Sequence, residues 1–348
     1  MPKQSISIST DTLVRIILIL LVIGFLYLIK DVLALFFVAI ILSAAFDPLI
    51  DWLQKHKIPR ALSIIGVYLV FLAVVGGAIY MLTGPIIDQV KDMSRAFPEY
   101  YTRINDGLQT LTITEIPGRV GAEAVNTSIA DITRSVSQAT TSIFHTLVSI
   151  FGGIISFFMV LVITFYLTVE EGNMKRFIQS VVPNRHRPYV AHLITAMQHR
   201  MGYWLRGQLL LSVIVFILVY LGLTLLGVKY ALILALVAGI FEIIPFLGPW
   251  ISAIPGVFFA FSQGIYTAIG VAIMYFVVQQ IENNLIVPKV MGKTTGLNPL
   301  VVILAILTGA RLGGIVGALL AVPVALGVAV YIETLLDGKK KRETSLNK

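Results

Sequence analysis

The chain has 348 residues, of which 57% are hydrophobic and 13% charged, and its mean hydropathy is +0.90. Ordinary soluble domains carry roughly a quarter charged residues, and no water-soluble core could hide this much apolar surface, so the chain reads as an integral membrane protein. The formal charge of +8 does not require a nucleic-acid partner, because the basic residues cluster in short segments between apolar runs, and the absence of cysteine rules out a disulfide framework, a thiolate metal site and a thiol nucleophile.

The first apolar run, 13–29, has no small-residue cleavage site and leads directly into a second, so it reads as a retained span. Lys30 and Asp31 are expected to give a very tight connection to the second span, 32–46. Further spans are expected at 61–83, 144–169 and 207–228, followed by a long interrupted apolar region from 231 to 335. Lys55, Lys57 and Arg60 lie in the segment 47–60, and Lys175, Arg176, Arg185, Arg187, Arg200 and Arg206 lie in 170–206. Together with the tail "GKKKRETSLNK", these fall on one side if both termini are cytoplasmic.

Segment 84–143 then lies outside. Ile86, Val90, Met93, Phe97, Tyr101, Ile104, Leu108 and Leu111 recur at steps of four and three, as do Val125, Ile129, Ile132, Val136, Ala139 and Ile143. Two such seams predict an extracytoplasmic amphipathic helical hairpin that packs on itself or on copies of itself. The glycosylation triplet "NTS" at 126–128 is what chance alone would supply. On the cytoplasmic side, His186, His192 and His199 accompany the basic residues of 183–207. With no carboxylate at ligand spacing, this reads as a basic interfacial segment and not a metal site, with Tyr203 and Trp204 placed as an aromatic belt would be.

The stretch "GIFEIIPFLGPW", 239–250, puts Glu242 among Pro245, Gly248 and Pro249 in the middle of an oily segment. Prolines remove amide donors and glycine permits a sharp turn, so a regular helix cannot continue there. The eleven apolar residues before Glu242 reach about 17 Å, roughly halfway across the hydrocarbon. The expected geometry is a re-entrant hairpin tipped by Glu242, with a helix resuming near Trp250. A carboxylate at that depth costs on the order of 3 kcal/mol unless it is paired, protonated or hydrated. It would serve a visiting polar group, or it would merely brace the turn through backbone amides.

The layout returns further on. Span 265–281 leads to the polar run Gln279, Gln280, Glu282, Asn283 and Asn284, and then to an apolar arm and a second turn region. That region holds Gly309, Arg311, Gly313 and Gly314, and Gly309, Gly313 and Gly317 would form one smooth stripe if helical. Two broken hairpins entering from opposite faces form an inverted repeat, although 298–332 is also long enough for two full spans. "GKTT" at 292–295 lacks the first glycine of a phosphate loop, and no HExxH or GxSxG pattern appears. The chain is therefore expected to move something rather than transform it, with no cofactor or metal and with coupling to protons or sodium as an option.

"PRALSIIGVYLVFL" (59–72), "FEIIPFLGPWISAIPG" (241–256), "QQIENNLIVPKVMG" (279–292) and "LNPLVVILAILTGARLGGIVGALLAVPV" (297–324) resemble the autoinducer-2 exporter (AI-2E) family of bacterial membrane transporters. The resemblance implies a multi-pass inner-membrane protein, a pentameric assembly and an elevator-like movement of the hairpin domain. It also implies either export of autoinducer-2 or sodium(lithium)/proton antiport, since members do not share one substrate. The family's Glu-x-x-Pro-x-x-Gly-Pro motif falls on Glu242, Pro245, Gly248 and Pro249, and its Glu-Asn stretch on Glu282, Asn283 and Asn284.

The expected fold is thus an all-α polytopic membrane protein of about eight membrane segments. Its divisions are a three-span scaffold (1–83), the outer hairpin (84–143), a span with the basic segment (144–206), a transport domain (207–335) and a basic tail (336–348). The expected pathway residues are Glu242, Gln279, Gln280, Glu282, Asn283, Asn284 and Arg311. Besides the lipid bilayer and a small polar solute or ion, the expected partners are further copies of the chain. A non-transporting oligomeric scaffold organised by the 86–143 hairpin is the contrasting reading.

Overall fold

A computed structural model of the protein describes residues 10–78, 80, 154–170, 180, 182–292 and 297–346. The outer segment expected at 84–143, with its two seams and its glycosylation triplet, lies outside these residues. The described residues form helices: α1 (Thr10–Leu28), α2 (Lys30–Lys55), α3 (Arg60–Ala78), α4 (Ile154–Val169), α5 (Arg187–Leu225), α6 (Ala231–Phe241), α7 (Leu247–Phe261), α8 (Ile265–Ile281), α9 (Val287–Met291) and α10 (Pro299–Leu346). A 3₁₀ turn precedes α5 and a π-helical turn, Glu282–Ile286, joins α8 to α9. Among the described residues five helices are long and apolar enough to cross a membrane, and α1, α4, α6 and α7 are shorter apolar ones. The protein is a polytopic helical membrane protein.

In the N-terminal part, α2, α3 and α4 share a core. Phe46 and Ile50 meet Ile64, Val67 and Tyr68, with Phe165 packed alongside. Tyr68 stands edge-on to Phe46 and Phe165 at 5.2 and 5.4 Å between ring centres, the arrangement favoured by ring quadrupoles. Small hydroxyls tie the helices where their backbones approach: Ser43 Oγ and Thr168 Oγ1 lie 2.9 Å apart, and Thr168 also donates to the Thr164 carbonyl.

Two expectations about this part are corrected. Lys30 and Asp31 do not reverse the chain, because the Ile29 amide still bonds to Phe25 O and the Leu33 amide to Ile29 O. The helical pattern runs through, with a bend at Ile29. Nor does the second helix end at residue 46: α2 passes Pro48 and continues to Lys55, leaving only a short turn before α3.

The C-terminal part is built round α5. Trp204, Gln208, Leu211, Val215, Val219 and Leu223 are buried at steps of three and four, one face of a 3.6-residue helix. The lower half of this seam meets Met291 of α9 and Val302, Ile306, Ala318, Val322 and Leu326 of α10. Its upper half meets Leu234 and Ala238 of α6, Phe258 and Phe259 of α7, and Val271 and Tyr275 of α8. The basic segment expected as a separate interfacial piece is the first part of this same 39-residue helix. Trp204 is buried in the core and Tyr203 donates to Val290 O at 3.2 Å, so neither forms the expected aromatic belt. Arg200 grips Glu333 of α10 with both guanidinium arms.

The apolar helix before Glu242 ends at Phe241, and α7 begins at Leu247, three residues earlier than Trp250. The two short helices pack on each other. Pro249 falls in the first turn of α7, where a missing amide proton costs nothing because that amide has no helical partner. Gly248 packs so tightly that a Cβ would lie 2.0 Å from Phe241 O. Helix α10 breaks in a similar way: Gly313 (φ −134°) and Gly314 (φ +60°) leave helical geometry. The proposed glycine stripe therefore does not exist. Gly309 and Gly317 lie on opposite sides of the break and touch each other.

Candidate functional site

Glu242 terminates α6. Its amide closes the last helical hydrogen bond, to Ala238 O at 3.0 Å, and its carbonyl is released by the break that follows. Gln208, only 2% exposed on the α5 seam, donates its side-chain amide to that carbonyl. The backbone of the turn is thus satisfied by a neighbouring helix. The Glu242 side chain is not. It is 1% exposed, and its Oε2 has no protein donor.

Another acid lies against it. Glu282, 5% exposed, opens the π turn after α8, and its carboxyl meets that of Glu242 closely enough to share a hydrogen bond. As carboxylates neither can donate, so the contact requires a proton, a cation or an outside donor. Gln279 Nε2 reaches Glu282 Oε2 at 3.3 Å, while Gln279 Oε1 is buried without a partner. Tyr275 Oη, against α7 at Gly256, is buried without a partner as well. Ser252, Tyr275, Gln279 and Glu282 line one small cavity whose remaining wall is apolar, formed by Val215, Val219, Ala238, Pro249 and Val278. A polar patch with a carboxyl, an amide oxygen and a hydroxyl left without partners can take a proton, a hard cation or a polar solute.

The other sequence-predicted residues sit elsewhere. Gln280, Asn283 and Asn284 are exposed, and Asn284 folds back to donate to Gln280 O at 2.9 Å. Arg311 is exposed two residues before the break in α10. Of the expected group, the fold brings Glu242, Gln279 and Glu282 together. Sequence reasoning missed Gln208, Ser252 and Tyr275. Gln208 was findable, as the one amide in the otherwise apolar seam of α5, whereas Ser252 and Tyr275 carry no signal of their own.

Residues 16–337 match the family model described as AI-2E family transporter. The chain is 27% identical over 296 residues to the candidate transport protein YrrI of Bacillus subtilis, covering 85% of this chain and 84% of that one. It is 29% identical over 316 residues to the candidate transport protein YueF of the same organism, covering 88% and 85% of the two chains. It is also similar to the AI-2 transport protein TqsA of Escherichia coli K12, at 23% identity over 311 residues, 89% of this chain and 88% of that one. With nearly its whole length matched, the chain belongs to the AI-2E family and is a membrane transporter, not an enzyme.

Proposed function

We propose that the protein is a secondary transporter that exports a small polar solute, autoinducer-2-like, across the bacterial cytoplasmic membrane by alternating access. The observation that carries this reading is the Glu242 carboxyl, buried at the end of an interrupted helix with an oxygen that no protein group satisfies. In this reading α6 with α7, and the two arms of α10, are re-entrant hairpins forming an inverted repeat within a transport domain (207–335). The shortness of α6 and α7 and the break at Gly313–Gly314 support it. Elevator-like movement of that domain against the scaffold (1–83) would carry the solute, with the basic segments facing the cytoplasm and several copies assembling, as a pentamer or otherwise. Gln279 and Glu282 share the site with Glu242, while Gln280, Asn283, Asn284 and Arg311 flank its route.

A second reading, sodium(lithium)/proton antiport, is favoured by the contact between two carboxyls. Among the described residues no basic side chain forms an ion pair with either, so a proton or cation would complete the pair. Uptake and counterflow in proteoliposomes separate these readings. In the exporter, Glu242→Gln abolishes solute counterflow and no sodium gradient drives proton movement. In the antiporter, sodium-driven proton flux is present and is lost in the same variant. Glu242→Gln protein that transports like the parent would remove Glu242 from the pathway in both.

A further inference from the structure

Pro48 lies inside α2. Lacking an amide proton, it leaves the Ala44 carbonyl without its helical partner, and its ring opens the turn around Ala45. Arg206 of α5 fills the gap: its Nη1 donates to Ala44 O at 3.2 Å and to Ala45 O at 3.1 Å. At the same crossing Gly202 lies so close to α2 that a Cβ would sit 2.3 Å from Ala44 O. At Gly202 the two helices thus meet backbone to backbone, and Arg206 adds a directional polar tie beside it.

Arg206 and Gln208 are two residues apart, about 200° round a helix, so they face opposite ways. Arg206 faces the core formed by α2, α3 and α4, and Gln208 faces the released carbonyl of Glu242. Gly207, between them, packs against Met291 Sδ, and Tyr203, three residues before Arg206, donates to Val290 O. Seven consecutive residues of α5 thus join the N-terminal bundle to both the Glu242 turn and the end of α9.

We propose that Arg206 is a positioning residue for transport: it latches α5 to the two carbonyls that Pro48 exposes in α2, and the latch opens and recloses as the protein alternates between conformations. The inference needs the protein to be a transporter but is independent of which solute or ion it carries, and of whether Glu242 touches it.

The test uses the absence of native cysteine. Ser252→Cys puts a single thiol in the wall of the cavity, and its rate of reaction with a small water-soluble maleimide is measured in proteoliposomes for four proteins: parent, Arg206→Gln, Pro48→Ala and the double variant. Pro48→Ala restores the amide that closes the Ala44 carbonyl within α2 and so removes the catch. The expected result is that each single variant changes the labelling rate in the same direction by about fivefold or more, the lower end of coupling between sites. The double variant should change it no further. An unchanged rate in folded Arg206→Gln protein would make the contact static and overturn the proposal. Independent, multiplying effects would assign Arg206 to its neighbour Asp47 instead and overturn it equally. Should Arg206→Gln not fold, Pro48→Ala alone decides, since alanine is benign in a helix and a parental rate there rejects the latch.

Discussion

Gly309 and Gly317 press their backbones together across the break in α10. A Cβ on Gly309 would lie 2.3 Å from Gly317 O, and one on Gly317 would lie 2.0 Å from Gly309 O. Since backbone cannot swing aside as a side chain can, this contact fixes how closely the two arms approach, and the turn at Gly313–Gly314 exists to permit it.

Gly309→Ala and Gly317→Ala are therefore expected each to cost about 1–3 kcal/mol, the usual penalty for overpacking. Gly313, with open space around its Cβ position and a negative φ, should accept alanine at little cost. Gly314→Ala, at φ +60° and ψ −141°, should cost about 1–3 kcal/mol through its backbone alone, because that region is close to glycine-only. Thermal unfolding of the purified variants in detergent provides the ranking, and a Gly313 variant as damaged as the Gly309 variant would contradict it.

Glu242 and Glu282 act as one unit if the buried contact between them is functional. Glu242→Gln and Glu282→Gln should each reduce transport by at least about tenfold, and the double variant should be no worse than the poorer single one, as for groups that work together. Initial rates of uptake into proteoliposomes, normalised to inserted protein, provide the measurement. Multiplying losses would mean that the two acids contribute separately.

Gln208→Leu keeps the volume of the α5 seam but leaves the Glu242 carbonyl without its donor. The expected cost is about 1–3 kcal/mol, the price of orphaning a buried acceptor, together with loss of transport because the turn carrying Glu242 loses its brace. Limited proteolysis and unfolding read the first effect, and counterflow reads the second. Retained transport at full stability would show that the turn needs no support from α5.

Ser43 and Thr168 meet at 2.9 Å between α2 and α4. In a double-mutant cycle of Ser43→Ala and Thr168→Val the coupling should be about 0.6 kcal/mol, typical for a hydrogen bond between membrane helices. Transport should be unaffected by either change, since neither side chain donates to or accepts from Arg206 at the contact with the Ala44 and Ala45 carbonyls.

Much of this structure was legible in the sequence because it rests on local chemistry. The break after Phe241 follows from Pro245, Gly248 and Pro249, and the polar run at 279–284 announces itself by interrupting an apolar helix. What escaped was what depends on partners distant in sequence. The apolar run stopped at residue 46, but the helix passes Pro48 to Lys55, and Arg206, far along the chain, donates to the Ala44 and Ala45 carbonyls beside that proline. Trp204 and Tyr203 looked interfacial by composition, yet the seam of α5 turns one inward and the other to Val290. The glycines at 309, 313 and 317 have the spacing of a helical stripe, and only the positive φ at Gly314 reveals that they straddle a turn.

The π turn at Glu282–Ile286 sets the phase of α9 relative to α8. At ordinary α pitch, nine residues would set Met291 about 180° round the axis from Glu282, on the wrong side to meet α5. The wider winding absorbs about one extra residue and lets a single run of chain present Tyr275, Gln279 and Glu282 to the cavity, then bring Met291 back against Gly207. Deleting one residue within that turn would return it to plain α-helix and keep Met291 in phase, whereas inserting one in α9 before Met291 would turn that side chain about 100° away from Gly207.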